Sequence, residues 1–235
     1  MTRRVLLVPH PKRPDIGEIT RDVAARLAAR GVQATMIATD AAALPAHDQS
    51  ADELSVVPDE GAALGCEVVC VLGGDGTILR GAELARGTDT PLLGINLGKV
   101  GFLAEVEMAD LAATVDRIVA RDYTVEDRMT LDVTVSHADR VDTRTWALNE
   151  VSIEKAARER MLEVTVEVDG RPLSTWGCDG VIVATPTGST AYAFSAGGPV
   201  VWPDVEAILL VPNSAHALFA RPIIVGPRSR LAVEV

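Results

Sequence analysis

The sequence predicts a two-lobed chain, with an α/β amino-terminal lobe built on a parallel sheet and a β-rich carboxy-terminal lobe. Up to Tyr123, short apolar runs alternate with stretches of helical spacing, the pattern of a parallel sheet covered by helices on both faces. Beyond Tyr123 the apolar residues alternate at period two, as in half-buried strands. The expected lobes are therefore 1–123 and 124–235. A third observation locates the chemistry: one acid, Asp75, stands among three glycines directly after a buried apolar run.

In the first lobe, Arg4-Val5-Leu6-Leu7-Val8 reads as a buried strand ending at Pro9-His10-Pro11. Ile19, Val23, Leu27 and Ala28 then fall at helical spacing, and Gly31 stops the helix. Val32 to Ala38 is a second strand. Residues 40–60, rich in Ala, Asp, Pro and Ser, read as a surface excursion. Cys66 to Leu72 is the buried strand that enters the glycine turn, and the helix after it is expected from Thr77. Pro91 to Asn96 gives a further strand leading into Gly98-Lys99-Val100-Gly101-Phe102-Leu103, and a helix from Ala109 to Arg121 closes the lobe.

The second lobe has strands at Leu131–Val135, Trp146–Leu148, Val151–Ile153, Met161–Val168, Val181–Ala184, Ile208–Val211 and Leu231–Val235. Asp169-Gly170 is a strong hairpin signal. There is no internal repeat and no low-complexity tract.

Composition narrows the function classes. The chain has 235 residues, enough to bury a sizeable core, and only 3% are aromatic, so that core is built of Val, Leu, Ile and Ala. A net charge of −11 argues against binding nucleic acid or an anionic membrane through bulk charge. An anionic cofactor would need a local set of amides and bases, or a metal. Cys66, Cys70 and Cys178 are too few and too isolated for a zinc set and read as core residues in a reducing cytosol. The apolar part of the amino terminus is too short for a signal peptide, and no run reaches the ~20 residues of a membrane span. The expected location is cytoplasmic, and no residue set is assigned to a metal.

Three segments carry the chemistry. In Gly73-Gly74-Asp75-Gly76-Thr77, glycines allow close backbone approach and positive φ, and strand–glycine–helix is a geometry that receives phosphate. A carboxylate in such a loop fits a general base or a group organising Mg²⁺. Asn149-Glu150 is a polar pair inside a run that otherwise reads as buried strand. Thr185-Pro186-Thr187-Gly188-Ser189-Thr190-Ala191-Tyr192 follows a strand and offers hydroxyl and amide groups to sugar or phosphate oxygens, with Tyr192 able to flank a ring and Ser195-Ala196-Gly197-Gly198-Pro199 continuing the turn. There is no Walker A loop, and no Gly-x-Gly-x-x-Gly after the first strand.

Gly73–Thr77 resembles the GGDGT signature of NAD kinases, diacylglycerol-type lipid kinases and phosphofructokinases. With Gly94–Leu103, Asn149-Glu150, Asp179-Gly180, Thr185–Tyr192 and Ser195–Pro199 in that order, the chain from residue 4 to about 225 resembles the NAD kinases, in the NAD kinase-like/diacylglycerol kinase-like superfamily. The resemblance implies transfer of the γ-phosphoryl of ATP, or of polyphosphate, to the 2′-hydroxyl of the adenosine ribose of NAD, with Mg²⁺ carrying much of the donor's charge. It implies Asp75 as catalytic base, with Gly73, Gly74 and Thr77 shaping the phosphate loop. It places Gly76, Phe102, Asn149, Glu150, Asp179, Thr190, Ala191, Tyr192 and Ser195 at the NAD site, Phe102 near adenine and Asp179 at the nicotinamide end, often across a subunit contact. A homodimer or homotetramer is expected on the same ground. His216 sits where members place interface or ligand contacts. Members continue past the position of Val235, so the second lobe is expected to be incomplete at its carboxy terminus. The rivals are a lipid or sugar kinase sharing GGDGT, and an NAD-binding sensor without catalysis.

Overall fold

The computed structural model describes residues 2–44, 53–97, 103, 106–138, 140–157, 161–216 and 220–235. The chain divides into two compact units, Met1–Glu126 and Asp127–Val235. In the first, β1 (Arg3–Pro9) is followed by α1 (Ile16–Ala28), β2 (Val32–Ile37), α2 (Ala38–Ala43), β3 (Leu54–Val57) and β4 (Val68–Leu72). Then come α3 (Asp75–Ala85), β5 (Leu92–Asn96), the two-residue β6 (Val106–Glu107) and α4 (Leu111–Ala120), the last entered through a 3₁₀ turn at Met108–Asp110.

The six strands form one sheet in the order β3-β2-β1-β4-β5-β6, and every pairing is parallel. Parallel strands covered on both faces are apolar at every position. In β1, Val5 and Leu7 face a core shared with Val23 and Leu27 of α1 and Val115 and Ile118 of α4. Leu6 and Val8 face the opposite core, which holds Val69, Val71, Ala63 and Ile78 of α3. The buried residues of α1 (Ile16, Gly17, Ile19, Thr20, Val23, Ala24, Leu27) lie on one face at helical spacing, which is why the helix was readable, although it ends at Ala28, short of Arg30.

Several expectations change. The 40–60 stretch is more than a surface excursion: it supplies α2, with Asp40 buried, and the edge strand β3 paired to β2. Residues 45–52 of it lie outside the described residues. Cys66 precedes β4 rather than lying in it, although it and the other two cysteines are buried and unpaired. The helix after the glycine turn begins at Asp75, two residues earlier than its apolar pattern indicates.

The second unit is antiparallel throughout. It contains β7 (Leu131–His137), β8 (Arg140–Ala147), β9 (Glu150–Glu154), β10 (Leu162–Val168), β11 (Arg171–Cys178), β12 (Gly180–Ala184), the one-turn α5 (Tyr192–Ser195), β13 (Ile208–Asn213), β14 (Ile223–Val225) and β15 (Leu231–Glu234). The sheets are β7-β8, β11-β10-β15 and β14-β13-β12-β9. Asp169 (φ 53°) and Gly170 (φ 74°) turn β10 into β11 with both central residues at positive φ, as the Asp-Gly pair requires. Val181 of β12 packs with Val164, Val166 and Trp176, whereas Ile182 and Ala184 pack with Leu209, Val211, Ala193 and Val201 on the other face. β11 and β14 had no counterpart in the sequence reading, and β8 stops at Ala147, one residue short of Leu148. Among the described residues no helix is long and apolar enough to cross a membrane.

Candidate active site

In the first unit the chain runs outward from β1 to β2 and β3, then returns to lay β4, β5 and β6 on the other side of β1. The order reverses between β1 and β4, and in open parallel sheets ligands bind at the carboxyl ends of the strands at such a point. Gly73 to Thr77 stands there. Gly73 N–H donates to Ile95 O at 3.0 Å, extending the ladder one residue past β4. Gly74 then caps α3 with extended backbone, and its carbonyl accepts the N–H groups of Thr77 (2.9 Å) and Ile78 (3.1 Å).

None of Gly73, Gly74 and Gly76 adopts a positive φ, so the expected use of that freedom is corrected. Gly73 is instead needed for packing: the buried Thr77 side chain tucks against it, and a Cβ there would lie 2.5 Å from Thr77 Oγ1 and 2.8 Å from its Cβ. A Cβ on Gly74 or Gly76 would meet nothing within 4 Å. Their backbone therefore faces open space, which suits close approach by a large group. Asp75, half-exposed in the first turn of α3, accepts a hydrogen bond from Leu103 N–H at Oδ1 (3.2 Å). This contact brings the end of the Gly94–Leu103 segment onto the acid. Phe102 lies outside the described residues, as do Gly98 to Gly101.

In the second unit, Asn149 and Glu150 stand where β8 hands over to β9, and Glu150 opposes Ala184 of β12. The hydroxyl-rich segment clamps this corner. Thr185, fully buried, donates its N–H to Asn149 O (2.8 Å) and its hydroxyl to Leu148 O (2.5 Å), and its Oγ1 accepts Gly188 N–H at 3.0 Å. Gly188 presses on the Asn149 backbone so closely that a Cβ would overlap the carbonyl group and come within 2.7 Å of Cα. Asn149 Oδ1 and Glu150 Oε2 are buried without a hydrogen-bond partner, and burial pushes the Glu150 carboxyl pKa up. Buried polar atoms left unpaired cost free energy that a ligand donor recovers.

The remaining predicted residues follow along β12. Ser189 is consumed internally, its hydroxyl donating to Val201 O (3.1 Å) and accepting Val201 N–H (2.9 Å). Thr190 is half-buried and its hydroxyl reaches Thr187 O at 3.4 Å. Ala191 N–H donates to Gly188 O (3.0 Å), and Ser195 is exposed. Tyr192 opens α5, its hydroxyl accepting from Asn213 Nδ2 (3.1 Å), while a hydrogen bond to Glu154 raises its pKa. Asn213 opposes Gly180, so Tyr192 lies toward the start of β12, whereas Asn149 and Glu150 lie at its end. Asp179 stands just before β12 in an ion pair with Lys155 (2.5 Å), and this hydrogen bond, aided by Ser214 and His216, holds its carboxyl below the usual range. His216 is fixed by its N–H to Gly177 O (2.8 Å).

The sequence reading missed the structural roles of Thr185, Gly188 and Lys155. The first two were signalled by their place in the hydroxyl-rich run, but Lys155 is far from Asp179 in sequence and gave no signal. Among the described residues no group of three or more His, Cys, Asp or Glu could hold a metal ion by itself.

Residues 5–123 match the family model described as ATP-NAD kinase N-terminal domain, and 148–235 match that of the ATP-NAD kinase C-terminal domain. The chain is 54% identical over 241 residues to the NAD kinase of Mycobacterium tuberculosis, covering 99% of this chain and 78% of that protein. It is 55% identical over 238 residues to the NAD kinase of Thermobifida fusca, covering 99% and 73%. Yeast NADH kinase complexed with NADH superposes with a TM-score of 0.89 at 26% identity, covering 99% of this chain and 72% of that one. An NAD kinase from Archaeoglobus fulgidus in complex with ATP superposes at 0.72 and 26% identity, covering 99% and 80%. This chain belongs to the ATP-NAD kinase family.

Proposed function

We propose that this chain transfers the γ-phosphoryl group of ATP to the 2′-hydroxyl of the adenosine ribose of NAD, giving NADP and ADP, with Asp75 as the base. The carrying observation is the half-exposed Asp75 carboxylate at the strand-order reversal, oriented by Leu103 N–H and flanked by the uncovered backbone of Gly74 and Gly76. Phosphoryl transfer needs positioning and charge neutralisation more than covalent chemistry. Asp75 accepts the proton of the 2′-hydroxyl as the ribose oxygen bonds to the γ-phosphorus, and the bond from that phosphorus to the β–γ bridging oxygen breaks with its electron pair on ADP. Mg²⁺ is bound by few protein oxygens and several phosphate oxygens in sites of this kind, which fits a loop with a single carboxylate. When bound it neutralises donor charge, and Asp75 is the loop residue able to help hold it. Polyphosphate, with the same phosphoanhydride chemistry, is the alternative donor.

In this reading Asn149 and Glu150 hydrogen-bond the adenosine and its ribose, Thr190, Ala191, Tyr192 and Ser195 line the dinucleotide, and Asp179 serves the nicotinamide end. The orphaned oxygens of Asn149 and Glu150 support the first assignment. The adenine contact assigned to Phe102 rests on the sequence motif alone. The unpaired cysteines support a cytoplasmic location, and the family resemblance supports a homodimer or homotetramer. The test is coupled NADP formation from NAD, ATP and Mg²⁺. A positioned base contributes roughly 10²–10⁴-fold, so Asp75→Asn is expected to lower kcat by that factor while NAD binding persists. Wild-type turnover in Asp75→Asn would refute the assignment, and NAD binding without turnover in the wild type would move the sensor reading ahead.

A further inference from the structure

The helix that carries Asp75 is anchored from a direction its own sequence does not reveal. α3 meets the sheet through Thr77, Ile78 and Gly81, and a Cβ on Gly81 would come within 2.5 Å of Val71 and 2.9 Å of Leu92. These contacts set how far α3 stands from the sheet. Apolar contacts are non-directional, and no side-chain cap fixes the start of the helix. Beside the hydrogen bond from Leu103 N–H to Asp75, a second directional contact is polar. Arg80, about one and a half turns beyond Asp75, makes an ion pair with Asp40 of α2. α2 follows β2, and β2 is separated from β4 by β1, so the pair links elements that start two strands apart.

Asp40 is only 5% exposed, and its second oxygen, Oδ2, is buried without a partner. Burial raises its carboxyl pKa in spite of the guanidinium. Such a pair is a poor stabiliser, because desolvation offsets attraction and apolar replacements are often as stable. α2 is itself held by polar contacts, with Asp59, just beyond β3, accepting hydrogen bonds from the Thr39 N–H (3.1 Å) and hydroxyl. α2, tied to Asp59 through Thr39, thus grips α3 through the buried Asp40.

We infer that the Asp40–Arg80 ion pair is a positioning device for the reaction, fixing the rotation and axial placement of α3 and through them the direction of the Asp75 carboxylate. In this reading both residues act through α3. The inference rests on the reading of Asp75 as the base.

The test is the double variant Asp40→Leu with Arg80→Met, which removes the pair without leaving a buried charge unpaired. A misplacement of about 1 Å costs on the order of 10²-fold in rate. The expected result is an unchanged thermal midpoint, kcat lower by about 10- to 100-fold, and KM and Kd for NAD within about twofold of wild type. Arg80→Lys, which keeps the charge but not the planar fork, is expected to fall between the two. A kcat within about twofold of wild type would show the pair to be structural only, and parallel loss of NAD binding would replace positioning with general damage; either overturns the inference. Asp75→Asn, measured alongside, separates the two readings. If it keeps turnover, the base assignment fails and the positioning role falls with it; if it loses turnover while the double variant does not, only the positioning role falls.

Discussion

Gly188→Ala tests whether the hydroxyl-rich segment serves the Asn149 corner. The new Cβ would overlap the Asn149 carbonyl group and stand 2.7 Å from its Cα. Carbon atoms pack at about 3.5–4.0 Å, so one backbone segment must retreat by roughly 1 Å. That retreat strains three hydrogen bonds: Thr185 N–H to Asn149 O, the Thr185 hydroxyl to Leu148 O, and Gly188 N–H to Thr185 Oγ1. At about 1 kcal/mol each, with partial relaxation, the expected loss is about 2–3 kcal/mol of stability in this unit. Binding suffers alongside folding, because Asn149 and Glu150 move with the backbone. Calorimetric titration should show NAD affinity lowered by about 10²-fold, alongside a midpoint about 10 °C lower. A variant that loses the midpoint but binds NAD as tightly as wild type would refute the link between this clamp and the dinucleotide.

The glycines of the Asp75 loop should respond oppositely. Gly73→Ala drives a methyl group into Thr77 and is expected to destabilise the first unit by about 1–3 kcal/mol in denaturant titration. Gly76→Ala meets no atom within 4 Å and gains helix propensity, so its stability should hold or rise by up to about 1 kcal/mol while KM for NAD increases; an unchanged KM would remove the close-approach reading of Gly76. Glu67 gives a pH signature. The hydrogen bond from Arg3 (2.6 Å), and secondarily the one from Arg121, outweigh burial and lower its carboxyl pKa to about 2. A depressed carboxyl stabilises the fold above its ordinary value near 4.5, and that stability is lost as the pH falls toward 2. At 1.36 kcal/mol per pH unit this amounts to about 3 kcal/mol, so Glu67→Gln should lose roughly that much at pH 7 and flatten the profile between about pH 5 and 2. A wild-type slope in the variant would place the acid sensitivity elsewhere.

What the sequence disclosed followed from local chemistry. The strand, glycine and acid of residues 68–77 are contiguous, and the apolar periods of α1 and β10 are long enough to read without partners. What stayed hidden depends on distant partners. β3 has four residues among Asp, Pro and Ser, and becomes a strand only by pairing with β2. β11 is interrupted by Pro172 beside a register shift at Val166/Glu167, which breaks its alternation. Asp40 sits in an alanine-rich stretch that gives no sign of burial, and its partner Arg80 is forty residues away. Phosphate-loop glycines signal φ freedom by habit, yet here the requirement is the space beside Thr77.

The all-parallel order of the first sheet also governs when the Asp75 edge comes into being. No pairing in it is a hairpin, and Val5 of β1 meets Val68 of β4 across 63 intervening steps of chain. In the second unit β10 and β11 zip from a two-residue turn, and β7 and β8 pair almost as locally. Chain-closure entropy must be met before distant contacts return anything, so local hairpins form fast and parallel pairings slowly. The β1–β4 seam, and the Asp75 edge it frames, is therefore a late product of folding. A nascent or partly refolded chain can hold ordered β-hairpins while Asp75 still lacks its frame.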